Sequence, residues 1–398
     1  MPAPPKTIVF VCNSAAMSGV EFSLIYLLQR LDRMKWMPVV LCPREGDLTA
    51  ACHEIGVATY RIKAPAVYST SFCFGTDRRL PNPAALAWDA LSLTQAGIST
   101  TLLMHKLKPR LVVTKGMFAH VYGGLAARQL GIPCIWHLQD LISERHSGIY
   151  RRFFAALAAR IPTSLICDGS LIREQLAEPT KDRTTVIFNG VDTSLFRPGQ
   201  NGAHARQELG IAPDVLVMGC VARLTPWKGQ HFLIDAFARV ASAIPQTVLL
   251  IVGGSFSDSR AYGDRLRRMA AEADLEHRIV FTGHRTDLSK MFAVMDLFVH
   301  TAIEKDTCPL ALVSAMSSGL PIVAFDIDGV REMFRHASNG LLVPRADTKA
   351  LANILLRICE DPRLRRQLGD SARRTAVDTF SLERHCERMQ SAFAEACG

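Results

Sequence analysis

Short apolar runs separated by longer amphipathic stretches set the rhythm of the chain. In the first half, Thr7 to Cys12, Val39 to Cys42, Leu111 to Thr114, Cys134 to Trp136, Ser164 to Cys167 and Thr185 to Ile187 are brief, mostly β-branched and nearly uncharged. Such runs suit parallel strands buried on both faces. Between them, stretches such as Val20 to Leu31 put Val20, Leu24, Leu27, Leu28 and Leu31 on one face of a crossover helix. The rhythm restarts with Val215 to Val221, Val248 to Val252, Ile279 to Thr282, Leu297 to His300 and Ile322 to Ala324. The pattern predicts an α/β protein of two doubly wound, Rossmann-like domains.

The polar stretch Asn189 to Ala212, with Gly190, Pro198, Gly199, Asn201 and Gly202, reads as the linker between them. We therefore expect domains at residues 1–195 and 196–375, followed by a terminal helix over 376–398. Two such domains would leave a cleft at the carboxyl ends of both sheets, where open α/β sheets bind ligands.

Composition narrows the class. Of 398 residues, 48% are hydrophobic and 21% charged, which suits closed cores and excludes a disordered chain. The 11 cysteines form no C-x-x-C pair, so neither a zinc site nor a redox pair is signalled, and several sit within apolar runs as small hydrophobes. The apolar run Ile8 to Cys12 is too short for a secretion leader, and no run is long enough to span a membrane. The expectation is a cytoplasmic protein. Net charge is +9, of which +7 falls before Leu195 and +2 after it. That basic first half suits peripheral contact with an anionic inner-membrane face or an acidic acceptor, a plain solvated surface being an equal alternative; nucleic-acid binding would want interleaved exposed aromatics and is not expected.

The chemistry concentrates after the strands of the second half. Val221-Ala222-Arg223-Leu224-Thr225-Pro226-Trp227-Lys228-Gly229 closes its first strand and opens a helix carrying Phe232, Leu233, Ala236 and Phe237 on one face. A guanidinium fork and an ammonium beside a helix N-terminus suit a diphosphate. The segment resembles the R-L-x-x-x-K-G signature of retaining GT-B glycosyltransferases of family 4, the group 1 glycosyltransferases. Phe188-Asn189-Gly190-Val191-Asp192 through Phe196 and Pro198 is similar to that family's entry into the second domain. There Asn-Gly supplies a turn, Asp192 caps and Phe196 anchors the chain. Ile251-Val252-Gly253-Gly254 and Phe281-Thr282-Gly283-His284-Arg285 match its strand-end glycine loop and F-x-G-x-R-like turn.

The stretch His300 to Pro321 resembles the family's donor-sugar loop, where a carboxylate, seven residues and a glutamate precede Ala-Met. Counting back from Ala315-Met316 puts Ser314 at the glutamate position and Asp306 at the carboxylate, in the variant Glu304-Lys305-Asp306-Thr307-Cys308-Pro309. A serine lacks the charge and reach with which a glutamate holds ribose hydroxyls. Pro309 has no N–H, leaving the amides of Cys308, Leu310 and Ala311 for a phosphate or sugar oxygen.

The resemblance implies a GT-B fold, with an acceptor-side domain at 1–195, a nucleotide-sugar-binding domain at 196–375 and a terminal helix returning to the first. It implies transfer of a hexose-type sugar from a nucleotide diphosphate sugar to an acceptor hydroxyl on a glycan, glycolipid or small molecule, with retention, no metal and no cofactor beyond the donor. Arg223 and Lys228 hold the diphosphate and stabilise the leaving group. Asp306 orients the sugar, Gly254 lets the donor approach the backbone, and Arg285 borders the base. In the first domain, Gly19 matches the loop near the donor phosphate, though that loop is poor in glycine and Glu21 serves as a helix cap. His137, closing the strand before Leu138-Gln139-Asp140, matches a histidine near the reaction centre.

Asp326-Ile327-Asp328 spells the D-x-D string of metal-dependent transferases, but its place before Gly329-Val330-Arg331-Glu332 points to local turn chemistry. Ser314 and the thinned glycine loop motivate a rival reading, a GT-B binding or scaffold protein without catalysis. The basic first half motivates another, a peripheral membrane adaptor.

Overall fold

The computed structural model describes residues 4–63, 71–74, 78–81, 83–142, 149–255, 260–304 and 306–398, so Lys305 of the donor-loop reading lies outside the described residues. Contacts divide the chain into two compact units, residues 1–188 with 385–398, and residues 189–384.

The first unit is built on β1 (Lys6–Cys12), β2 (Trp36–Cys42), β3 (Ala58–Arg61), the hairpin β4 (Ser71–Phe74) and β5 (Arg78–Pro81), then β6 (Leu111–Lys115), β7 (Cys134–Leu138), β8 (Ser164–Cys167) and β9 (Thr184–Val186). Seven of these form one parallel sheet in the order β3-β2-β1-β6-β7-β8-β9, and β4 pairs with β5 alone. The apolar runs of the sequence become its centre: β6 and β7 are buried along their whole length. The strand order reverses between β1 and β6, which defines the switch point where ligands of such sheets bind. The last helix, Leu382–Cys397, belongs here from His385 onward, where Phe393 packs edge-on against Phe10 and Trp36, at 6.1 and 6.0 Å between ring centroids.

The second unit holds β10 (Leu216–Val221), β11 (Thr247–Val252), β12 (Ile279–Gly283), β13 (Leu297–His300), β14 (Ile322–Phe325) and β15 (Leu341–Val343). They form a parallel sheet in the order β12-β11-β10-β13-β14-β15, reversing between β10 and β13. One apolar core joins Met218, Leu249 and Val299 of the sheet to Phe237, Leu351 and Leu355 of the flanking helices.

The contacts add two details to the expected domain bounds. The stretch 189–212 is no open linker: Val191 bridges Ser381, Phe196 is buried edge-on against Phe292 at 5.7 Å, and Ala203–Glu208 is a helix. By contacts the division falls at Phe188 and Asn189, a few residues before the expected Leu195. Nor does the chain change units at 376. The helix Pro362–Phe380 runs on through buried Ala376 and Phe380, and residues up to Arg384 stay with the second unit.

Candidate functional site

In the second unit Arg223, Lys228 and Asp306 gather at the carboxyl ends of β10 and β13, the two strands flanking the switch point. Behind β10 the chain makes a single 3-10 turn, Pro226–Lys228, and enters the helix Gln230–Ala243 through Gly229. Gly229 adopts φ +70°, and a Cβ there would stand 2.0 Å from the Thr301 carbonyl oxygen. Only glycine lets these two loops come that close. They are stitched by Ile303 N–H donating to Trp227 O at 2.8 Å and the Thr301 hydroxyl donating to Lys228 O at 3.0 Å.

On this frame Lys228 Nζ forms an ion pair with Asp306 Oδ2, both side chains largely buried, and the ammonium lies 4.0 Å from the centroid of the Trp227 ring. His300 Nε2 stands 3.7 Å from the same carboxylate oxygen and is buried without a hydrogen-bond partner among the described residues. Burial pushes the Asp306 carboxyl up, but Lys228, His300 and Arg223 together outweigh it and hold it below its ordinary value. Burial, against the pull of Asp306, lowers His300 to about 4, so the ring is neutral at pH 7. Arg223 is exposed, close enough for its charge to act on Asp306. Its carbonyl accepts from Gln230 Nε2 at 2.9 Å, and Gln230 is fully buried.

Around this cluster, Leu224 N–H donates to Gly254 O at 3.0 Å and Gly253 N–H to Gly283 O at 2.9 Å, tying the β10, β11 and β12 loops together. Gly253 holds φ +149°, and a Cβ there would meet Ala222 O at 1.9 Å. Cys308 is buried, its carbonyl accepting from Asn189 Nδ2 at 3.3 Å. Pro309 caps the helix Leu310–Ser317, so the amides of Leu310 and Ala311 belong to the first turn, which has no intrahelical acceptors to offer them. Ser314 is buried on that helix.

Arg285 is engaged elsewhere. Its guanidinium clasps Asp287 through two bonds of 2.8 and 2.7 Å and reaches Glu208 at 2.6 Å. The two carboxylates of the D-x-D string are both taken by Arg331, Asp326 at 2.5 and 2.9 Å and Asp328 at 3.6 Å. Among the described residues no group of three or more His, Cys, Asp or Glu is placed to hold a metal ion.

In the first unit His137 lies on β7, buried, with Lys115 Nζ of β6 at 3.1 Å from its Nδ1. Burial foremost, then the charge of Lys115, drives His137 well below the ordinary histidine value. Gly19 begins the helix Gly19–Arg30 with open space around it. Glu21 Oε2 accepts the Ser18 N–H at 3.1 Å, which makes Glu21 a helix cap. Lys115, His300 and Gln230 escaped the sequence reading. Each is a polar residue at a strand end or a helix start; Gln230, next to the R-L-x-x-x-K-G match, and His300, which opens the donor-loop match, carried a nearby signal.

Comparisons with known proteins agree with this architecture. Residues 17–195 match Glycosyltransferase Family 4 and residues 203–375 match Glycosyl transferases group 1. The chain is similar to the UDP-Gal:alpha-D-GlcNAc-diphosphoundecaprenol alpha-1,3-galactosyltransferase of Escherichia coli, 26% identical over 388 residues, covering 94% of this chain and 95% of the relative. It is also similar to the lipopolysaccharide core biosynthesis mannosyltransferase LpsB of Rhizobium meliloti, 27% identical, covering 67% of this chain and 81% of the relative. Among solved structures, Anabaena HepE in complex with UDP-glucose superposes with a TM-score of 0.83 at 25% identity, over 98% of this chain and 100% of that one. The chain is a glycosyltransferase of the GT-B fold, a member of the group 1 glycosyltransferases.

Proposed function

We propose that this glycosyltransferase moves a hexose from a nucleotide diphosphate sugar to an acceptor hydroxyl with retention and without a metal, in the biosynthesis of a glycan or glycolipid. The observation that carries the reading is the convergence of Lys228, Arg223 and His300 on Asp306 at the switch point of β10 and β13. Two cations beside one carboxylate suit a ligand with an anionic diphosphate at one end and hydroxyls at the other. In this reading Arg223 and Lys228 take the diphosphate, joined by the amides of Cys308, Leu310 and Ala311, while Asp306 accepts hydrogen bonds from the sugar. Gly254 gives the donor room at the backbone and Ser314 meets the ribose. Arg285, held by Asp287 and Glu208, borders the base, and Gly19 belongs to the loop near the phosphate.

The bond from the anomeric carbon to the diphosphate oxygen breaks, and its electron pair leaves with the nucleotide. The acceptor oxygen bonds the same face of that carbon, and its proton passes to the departing diphosphate oxygen. Charge stabilisation by Arg223 and Lys228 is the main contribution asked of the protein, with His137 supporting the oxocarbenium-like centre. Arg331, which takes Asp326 and Asp328, supports the metal-free reading of the D-x-D string. The HepE complex holds UDP-glucose and the E. coli relative acts on a diphosphoundecaprenol acceptor, which supports a UDP-linked donor and a lipid-linked acceptor for this chain. Peripheral contact with an anionic membrane through the basic first unit fits such an acceptor. No described helix is long and apolar enough to cross a membrane.

Thermal stabilisation against a panel of nucleotide sugars, repeated in Arg223→Ala, tests the donor site. A rise in melting temperature that the variant loses supports it, and a flat panel would favour the scaffold reading. Anomeric configuration of the product by NMR, turnover in chelator and sedimentation with anionic vesicles test retention, metal independence and membrane contact in turn.

A further inference from the structure

Lys115 ends β6 at the switch point of the first sheet, and His137 stands opposite it in register on β7. Only 2% of Lys115 is exposed, a burial that lysine rarely tolerates. Burial lowers its ammonium to about 8, against the opposing charges of Glu21 on the helix Gly19–Arg30 and Asp168 after β8. An ammonium has hydrogens to give and no lone pair to accept with. Its 3.1 Å contact with His137 Nδ1 therefore requires that nitrogen to accept. The ring is neutral, so its single hydrogen sits on Nε2. That atom is buried and has no hydrogen-bond partner among the described residues. A buried donor left unpaired is costly unless something arrives to accept from it.

We infer that Lys115 is a positioning residue for the transfer reaction: it fixes His137 as the tautomer that presents a hydrogen at Nε2 to an oxygen of the sugar substrate. The inference rests on the function proposed above. The other groups facing the pair are His385, whose Nδ1 is 2.8 Å from Phe188 O and which burial holds neutral, and His120, whose Nδ1 lies 2.7 Å from the Thr114 hydroxyl. Neither donates to His137 Nδ1, so Lys115 alone among the described contacts sets the tautomer.

A lysine that merely tied β6 to β7 would leave the tautomer untouched, and this separates the two cases. The full chain is labelled with 15N-histidine, the His137 ring signals are assigned by their loss in His137→Gln, and two-bond nitrogen–proton spectra are taken for the wild type, Lys115→Met and Lys115→Gln. The wild type should show the Nε2–H form. Lys115→Met should lose it and drop kcat by about tenfold or more, with donor KM within about twofold in protein that stays folded. Lys115→Gln still donates from its amide and should recover most of both. An unchanged tautomer in Lys115→Met, unchanged kcat, or an equal fall in the two variants would overturn the inference. Should Lys115→Met fail to fold, Lys115→Gln decides: it should keep the Nε2–H form and most of kcat, and loss of that form would overturn the inference. If the wild type turned over no nucleotide sugar, the proposed function would fail while the spectra still tested the hold of Lys115 on His137.

Discussion

Lys228 and Asp306, 78 residues apart in the chain, close an ion pair at the carboxyl ends of β10 and β13. Each partner is the group the proposed donor needs, the ammonium for phosphate and the carboxylate for sugar hydroxyls. The pair thus keeps two charges neutralised in a largely buried place, and the donor must exchange its own groups for theirs.

Asp306→Asn separates these roles. A nucleoside diphosphate without a sugar should bind the variant at least as tightly as the wild type, because Lys228 no longer has a competing carboxylate. Turnover of the nucleotide sugar should fall about 100-fold. Calorimetry with the diphosphate and a nucleotide-release assay check the two halves, and weaker diphosphate binding in the variant would count against the exchange.

Gln230 anchors the loop that presents Arg223, through its bond to the Arg223 carbonyl. Gln230→Leu removes that bond and leaves the carbonyl for another partner, a loss of about 1–2 kcal/mol. The expected outcome is a donor KM raised about tenfold with a smaller change in kcat. An unchanged KM would show that the loop is held by other contacts.

Ser314 is buried on the helix Leu310–Ser317 where a glutamate is expected from the family pattern. Ser314→Glu offers the ribose a charged acceptor, and charge-assisted bonds exceed neutral ones by about 1 kcal/mol. Nucleoside binding should tighten about fivefold by calorimetry. Binding that weakens in a folded variant would remove Ser314 from the ribose role.

Stability should decline on mild acidification. Burial, the first cause in each case, lowers His120 to about 3, His300 and His385 to about 4, and His137 well below its ordinary value. Below pH 6.5 the unfolded chain takes up protons that the folded rings refuse, so their contribution is whole above that value and lost as pH falls toward about 4. Each ring left neutral removes about 1.4 kcal/mol per pH unit across that window. Urea midpoints at pH 7 and pH 5 check this, and equal midpoints would mean that the rings protonate within the fold.

Most of the strands were legible because parallel strands buried on both faces read as unbroken apolar runs. Ser164–Cys167 and Leu297–His300 keep their expected bounds, and most others differ by one or two residues. The short strands β3 and β15 were missed. β3 is largely exposed, so its sequence carries no apolar run, and β15 is three residues long.

By itself the sequence determined the α/β rhythm, the family and the identity of Arg223, Lys228, Asp306 and His137, because each is written locally as a run, a motif or a spacing. Only the tertiary structure decided that Lys228 meets Asp306, that Gln230 holds the Arg223 carbonyl, that Arg285 is claimed by Asp287 and Glu208, and that Lys115 faces His137. Those relationships depend on which strands become neighbours and in what register. Strand order in a parallel sheet is settled by long-range packing of its crossover helices, and no local pattern of residues records it.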